Sequence, residues 1–395
     1  MYKLFQRILA LALTLGLLLS LAATAFAVEA DEETISISTA EELVEFSANC
    51  RLDTWSENLT VELENDISLE GVAFTPIASF SGTFHGNGYT ISGLSLTEGL
   101  SVAGLFQRVQ EGARIEDLNV SGSVKASSAC EAAGGLAGRN EGEIENCSFS
   151  GSVSGSSTTG GLVGENTASG VIRASKSGGA VTGSKMTGGI VGSSRGKIVD
   201  CVNGAYVNTV SGDQAISLEN VNLDFSLDMT KLTTGDALLS SYDTGGITGY
   251  NAGTIRACEN RAIVGYQHVG YNVGGIAGTN EGSGMIYNCK TEGSVEGDHY
   301  VGGIVGQNVG TISYCSNTTG VNVSASEAVD NVEDLDSLTL PTASDDDDDD
   351  IPKKANTSTD VGGICGFSSG VIIGCTNWGG VGFEHVGYNI GGIVG

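Results

Sequence analysis

A five-residue pattern recurs through this chain: Gly-Gly, then Leu or Ile, one free position, then Gly. It stands at Gly134-Gly135-Leu136-Ala137-Gly138 and starts again at Gly160, Gly188, Gly245, Gly274, Gly302, Gly362 and Gly391. Successive starts lie 26, 28, 57, 29, 28, 60 and 29 residues apart. A period near 28 residues marks a repeat architecture, in which a unit too small to bury its own apolar face buries it against its neighbours. Such a chain forms a stack rather than a globule around one central core.

The coil at 302–329 is representative. Gly302 to Gly306 reads as a short strand and Asn308-Val309-Gly310 as a turn. Thr311 to Cys315 reads as a second strand, Asn317 to Gly320 as a turn and Val321-Asn322-Val323 as a third strand. Three strands per coil of about 28 residues predict an all-β fold, a right-handed parallel β-helix with rungs about 4.8 Å apart. The 60 glycines, 3 prolines and 6% aromatic residues suit closely stacked short strands.

Two side-chain ladders follow from the register. Asn140, Asn251, Asn280 and Asn308 each precede a glycine by two positions, at Gly142, Gly253, Gly282 and Gly310. Asparagine tolerates the left-handed backbone region, glycine accepts positive φ, and identical amides can hydrogen-bond up a stack. Cys147, Cys201, Cys258, Cys289, Cys315 and Cys375 share a second slot, which Ser175 and Leu118 fill in other coils. A slot that accepts Cys, Ser and Leu predicts a buried column of modest side chains rather than disulfides. No paired CxxC spacing suggests a metal.

The two long intervals each hold one normal coil plus an insertion, at about 211–243 and about 324–360. The second carries 11 acidic residues between Glu327 and Asp350, including the run Asp345 to Asp350, and is expected to stay solvated and partly disordered. Gly245 and Gly362, Cys258 and Cys375, and Gly274 and Gly391 are all 117 residues apart, so a block of three coils and one insertion is duplicated. Each copy ends in a related segment, with Tyr266, His268 and Tyr271 in the first and Phe383, His385 and Tyr388 in the second. Facing outward beside the insertions, these residues would make two aromatic–imidazole patches able to hold glycan or protein. Facing inward, they would pack a tight corner.

At the front, Lys3 and Arg7 precede an apolar run from Ile8 to about Ala23, and Ala25-Phe26-Ala27 fits a cleavage site. Residues 1–27 therefore read as a secretory signal peptide, with no membrane insertion after its removal. Residues 28–58 read as an N-terminal cap. There Thr39 and Glu42 form a capping box, and Leu43, Phe46 and Cys50 line one face of a short helix over 40–50. Residues 59–395 form the β-helix. The formal charge of −29 includes the signal's two basic residues, so the mature chain carries −31. That acidity argues against nucleic acid as a partner.

Catalytic motifs are wanting. No HExxH occurs, no acidic or basic slot recurs from rung to rung, and the GxSxG matches at Gly192 and Gly366 fall in turns rather than at a strand-to-helix elbow. No cofactor and no metal is expected. The repeated GG[LI]xG, Asn-x-Gly, Ile-x-x-Cys pattern resembles the GLUG motif, seen at Gly161-Leu162-Val163-Gly164, and covers roughly 100–395. The stretch from Ile35 through 80–88 looks like the start of bacterial GLUG-containing surface proteins. The resemblance implies an exported β-solenoid, often part of a large cell-surface protein. Some relatives accompany immunoglobulin A metallopeptidases, but without a zinc motif here that activity is not carried over. The chain stops at Gly395 within a new coil, which predicts a truncated end. These readings point to a non-catalytic secreted or surface-displayed scaffold, adhesin-like, binding glycan or a host or matrix protein. The alternatives are a carbohydrate-active β-helix enzyme of pectinase or lyase type, or an accessory region of a larger secreted hydrolase.

Overall fold

The computed structural model describes residues 33–97, 99–209, 241–266, 270–323, 359–382 and 388–395. The expected signal peptide, most of both insertions, and His268, Phe383 and His385 lie outside the described residues.

The chain is a parallel β-helix. One coil shows the plan, with strands Thr158–Gly160, Val163–Asn166, Val171–Arg173 and Lys176–Gly183. Stacked coil on coil, these make a first, second, third and fourth sheet of nine, eight, eleven and ten strands. From Val102 to Asn377 each coil thus carries four short strands rather than three. The expected first strand is broken at its Gly-Gly pair, one half joining the first sheet and the other the second. The expected third strand at 321–323 contributes only a bridge at Val321, while Ser316–Asn317 supplies the fourth-sheet strand.

The Gly-Gly bend exists because a Cβ has no room there. On Gly160 it would lie 1.9 Å from the Val163 carbonyl oxygen and 2.7 Å from Gly192 N of the next coil. The bend turns the next residue inward, so Leu136, Leu162, Ile190, Ile247, Ile276, Ile304 and Ile364 are completely buried. A second column, including Ile115, Ile144, Ile172, Ile198, Ile255, Ile286 and Ile312, faces it from the third sheet and is equally buried. Full burial of each such side chain contributes about 1.5–3 kcal/mol, which makes the two columns the main stabilising feature of the rod.

The corners depart from the expected turn chemistry. Asn140, Asn251, Asn280 and Asn308 do not adopt left-handed φ. That conformation falls instead on the residue before the cysteine slot: Asp117, Asn146, Ala174, Asp200, Ala257, Asn288 and Tyr314, at φ 50° to 56°. Gly282 is also not the closing glycine of its turn. Asn280 Nδ2 donates to the Gly284 carbonyl at 3.3 Å, four residues on, because this turn is two residues longer.

At the N-terminal end, Glu33–Ile37 pairs in register with Leu59–Leu63, so the rod begins inside the segment read as cap. The helix is Ala40–Asn49. Thr39 Oγ1 accepts from Glu42 N–H at 3.2 Å, and the Glu42 carboxylate accepts from Thr39 N–H at 3.1 Å. Leu43 and Phe46 are buried, and the Phe46 ring meets Trp55, Phe80 and Phe84 at 5.8, 6.1 and 6.2 Å. The helix therefore seals the apolar end of the stack, whose open edge would otherwise pair with another chain. Among the described residues no helix is long and apolar enough to cross a membrane.

Candidate functional site

The insertions re-enter the rod on the first sheet. The described chain resumes at 241, just before strand Tyr242–Gly245, and at 359, the first residue of strand Thr359–Gly362. The rod thus reclaims residues 242 and 243, and 359 and 360, from the expected insertions. A small valine core lies beneath this corner, comprising Val207, Val264, Val273, Val295, Val301, Val321 and Val361 and separate from the main core. Asn208 and Asn322, where the insertions leave, are buried and held on both sides. Asn208 accepts from Gly183 N–H and donates to Thr244 Oγ1, both at 2.8 Å. Asn322 accepts from Gly297 N–H and donates to the Gly297 carbonyl, both at 2.8 Å.

On this base stands an aromatic row. Tyr242, Tyr271 and His299 occupy one register position of the first sheet, followed by Thr359 and Tyr388. Tyr242 and Tyr271 stack at 5.3 Å with planes 19° apart, and Tyr271 meets His299 edge-on at 5.7 Å. His299 lies 4.1 Å from Tyr300, and Tyr300 lies 5.2 Å from Phe367. His299 Nδ1 is hydrogen-bonded to Thr359 Oγ1 and 3.9 Å from Asp360 Oδ2. Tyr242 remains 44% exposed, and Tyr271 and His299 are half-buried.

Beside the row runs a line of left-handed residues: Asp243, Asn272, Tyr300, Asp360 and Asn389. Asn272 Nδ2 donates to Asp243 Oδ1 at 2.8 Å, and Asn389 Nδ2 donates to Asp360 at 2.7 Å, one pair in each copy of the duplicated block. Asp243 Oδ1 also accepts from the Thr279 hydroxyl at 2.6 Å. Burial pushes the Asp243 carboxyl above its ordinary value of 3.8, against the pull of these two donors. Because the folded state holds this proton more tightly than the unfolded chain, the carboxyl's contribution to stability is complete at acid pH. It is lost as pH rises through the shifted value. Asp243→Asn keeps the oxygen that accepts both bonds and removes the titration. It is expected to be more stable than the parent at neutral pH, with the gap closing toward pH 3.5. Urea midpoints of both proteins across that range check this, and a gap that widens toward acid would refute it.

The residues singled out in the sequence are distributed differently. Tyr271 joins the row, and Tyr388 opens the strand Tyr388–Gly391 at the same register position. Tyr266 is half-buried, two residues past the Val264 bridge beside the valine core, and is not in the row. His268, Phe383 and His385 lie outside the described residues. The sequence reading missed Tyr242 and His299, although a signal was present. Tyr242, Tyr271, His299, Thr359 and Tyr388 each sit three residues before the first glycine of the repeated pattern.

The asparagine ladder is hydrogen-bonded from coil to coil. Asn140 donates to Asn166 and Asn166 to Ser194, at 2.9 and 3.2 Å. Asn251, Asn280, Asn308 and Ser368 continue in a second run at 2.8, 2.8 and 3.0 Å. Cys147, Cys201, Cys258, Cys289, Cys315 and Cys375 stack at the next corner, and all nine cysteines are free thiols. Each thiol of the first five donates to the carbonyl two residues back, at 3.2 to 3.4 Å. Burial holds the Cys147 thiol up at about 12, and the thiol contact with Cys289 holds Cys315 at about 12. Cys147, Cys201, Cys258, Cys289 and Cys315 are all buried, packed side chains of the main core.

On the third sheet, acids converge on arginine. Arg114 contacts Glu116, Glu145 at 2.6 Å and Glu143 at 3.9 Å, and Arg173 reaches Glu143 at 3.0 Å. His85 Nδ1 lies 2.6 Å from Glu116, with Glu62 at 3.8 Å from Nε2. Among the described residues no three His, Cys, Asp or Glu side chains are grouped to hold a metal ion.

Fold and site together define a class: a repeat-built parallel β-helix with a partly exposed aromatic row at the roots of its insertions. The sequence model of the GLUG motif matches two stretches of the rod, residues 129–154 and 269–296. The second contains Tyr271. A solved structure of a candidate immunoglobulin A1 protease from Bacteroides ovatus is similar at TM-score 0.47 and 17% identity, covering 75% of this chain and 80% of that one. No curated protein matches the chain.

Proposed function

We propose that this protein is a non-catalytic extracellular scaffold, adhesin-like and exported by its N-terminal signal, that holds a glycan on its aromatic row. The observation that carries this reading is the ordered run of Tyr242, Tyr271 and His299, stacked, partly exposed and set on its own valine core. Sugar rings offer C–H faces to flat aromatic surfaces, and their hydroxyls suit the neighbouring Asp243–Asn272 and Asp360–Asn389 pairs. A side chain already stacked in the free protein loses little freedom on binding. The convergent acids of the third sheet favour a scaffold over a hydrolase, since Glu116, Glu143 and Glu145 are each engaged by Arg114 or Arg173.

The test is a glycan array probed with the full-length chain and with Tyr242→Ala/Tyr271→Ala. Loss of at least about ten-fold in affinity for any bound glycan, with an unchanged circular dichroism spectrum, is expected when two central aromatic contacts are removed. Binding that survives the double change would move the site elsewhere. Turnover of an arrayed glycan would favour the enzyme reading.

A further inference from the structure

The corner that carries the aromatic row also carries, nearer the N-terminus, a dent of about 190 Å³ lined by Ala78, Ser101, Val102, Gln107, Arg108 and Arg139. Val102 belongs to the first-sheet strand Val102–Ala103, four strands before Tyr242–Gly245 in the same sheet. That places the dent about 20 Å from Tyr242 along the rod. Arg108 and Arg139 come from adjacent second-sheet strands and are paired in register, so two guanidinium groups stand one rung apart.

The lining is unusual for this molecule. The chain has 47 acidic and 18 basic residues, yet among the described residues the dent is lined by two cations, an amide and a hydroxyl, and by no carboxylate. The acids that engage these arginines lie outside the lining and steer them. Glu141 Oε1 accepts from Arg108 Nε and Nη2 at 3.0 and 2.6 Å, and Glu165 accepts from Arg139 Nε at 2.8 Å. Glu131 is 3.7 Å from Arg139 Nη2. Each guanidinium has five N–H donors, so several remain on both. Ion pairs this exposed are worth only about 0–1 kcal/mol, and an incoming anion that brings two fork-shaped contacts can compete with them. Gln107 Nε2 is directed to the Val102 carbonyl at 3.2 Å, which leaves its carbonyl oxygen for a sugar hydroxyl. Toward the row, Lys185 stands in register with Tyr242, and Arg195 approaches Glu165 at 3.3 Å.

We infer that the dent binds the acidic group of a sugar, a uronate carboxylate or a sulfate ester, so that the glycan taken by this rod is anionic and lies along its axis from Arg108 and Arg139 toward Tyr242. A flat planar carboxylate matches the guanidinium fork, and a lysine alone would offer only a point charge. The inference rests on the glycan reading above, and the experiment separates the two.

Three probes are titrated calorimetrically into the full-length chain: a hyaluronan octasaccharide, a neutral chitin oligosaccharide of similar length, and sodium glucuronate alone. The octasaccharide is expected to bind at least about ten-fold more tightly than the neutral chain at low salt, with the preference shrinking as ionic strength rises. Arg108→Gln/Arg139→Gln should abolish the preference and leave neutral binding unchanged, and Arg108→Lys/Arg139→Lys should restore only part of it. A preference that survives the Gln variant, or equal binding of both oligosaccharides by the parent, overturns the inference while leaving the aromatic row as the glycan site. If neither oligosaccharide binds, the glycan reading itself fails. The dent is then judged by whether glucuronate shifts the Arg108 and Arg139 Nε–H resonances, and unmoved resonances overturn it too.

Discussion

Gly274→Ala is expected to cost the rod about 3 kcal/mol or more and to uncouple its C-terminal coils from the rest. A Cβ at this position would lie 2.0 Å from the Ala277 carbonyl oxygen, 2.7 Å from Gly306 N and 2.8 Å from Val305 Cα. All three are backbone atoms, two of them in the next coil, so no side chain can swing aside. Relief requires the coils to part, and coils in a stack are held only by their neighbours. The control is Gly282→Ala in the same coil, where the new Cβ would meet only Val309 Cγ1 at 3.9 Å and φ is not left-handed. That change should stay within about 0.5 kcal/mol of the parent. Urea unfolding of the three proteins, followed by hydrogen exchange, checks the pair of expectations. Gly274→Ala should show a lowered midpoint and faster exchange through 301–323 and 359–382, whereas Gly282→Ala should overlay the parent. Equal midpoints for the two variants would mean that close coil packing is not what the glycines provide.

The same geometry explains how much could be read without a structure. The pattern at Gly134, Gly160 and Gly188 announces a stack because only a close-packed parallel coil excludes a Cβ at the same place in every repeat. What the pattern conceals is the bend itself: a Gly-Gly pair reads equally well inside a strand or at a corner, and the coil consequently has four strands instead of three. The left-handed corner was hidden for another reason. Asn146, Asp200 and Asn288 fit it by type, but Ala257 and Tyr314 occupy the same corner and carry no such signature. There the stack imposes a conformation that the residue alone would not choose.

The candidate site was legible only in part, and for a related reason. Tyr271 was found because a conspicuous nine-residue segment repeats around it. Its companions Tyr242 and His299 share no segment with it, only an offset of three residues from the glycines. Contacts in a β-helix run between coils, at the same phase of successive repeats, so local resemblance finds duplicated loops and phase finds surfaces. The dent at Arg108 and Arg139 shows this again: the two residues are 31 positions apart in sequence and adjacent in register. A second amide ladder was missed in the same way. Asn203 donates to Asn260 at 2.8 Å and Asn317 to Asn377 at 2.9 Å on the fourth sheet, at a phase where Ser177 and Thr291 interrupt the type.

Asn280→Ala is the second large effect, and it tests whether such ladders stabilise the rod or merely decorate it. Asn280 is completely buried and sits in the middle of a run. It accepts from Asn251 Nδ2 at 2.8 Å, donates to Asn308 Oδ1 at 2.8 Å, and reaches the Gly284 carbonyl at 3.3 Å. Alanine removes all three bonds and leaves an empty slot in a place too tight to close. Asn251 keeps a second acceptor, the Gly253 carbonyl at 3.3 Å, but Asn308 Oδ1 loses the donor stacked above it. A buried polar group without its partner costs about 1–3 kcal/mol, so the total should reach about 2–5 kcal/mol. Asn280→Ser should cost less, because Ser194 and Ser368 already close the two runs and accept from Asn166 and Asn308. The decisive comparison is the order of urea midpoints: parent, then Ser, then Ala. If Ala and Ser are equally destabilised, the loss is one of packing volume rather than of the hydrogen-bonded ladder. If neither differs from the parent, the amides contribute nothing that water does not replace, and the rod stands on its leucine and isoleucine columns alone.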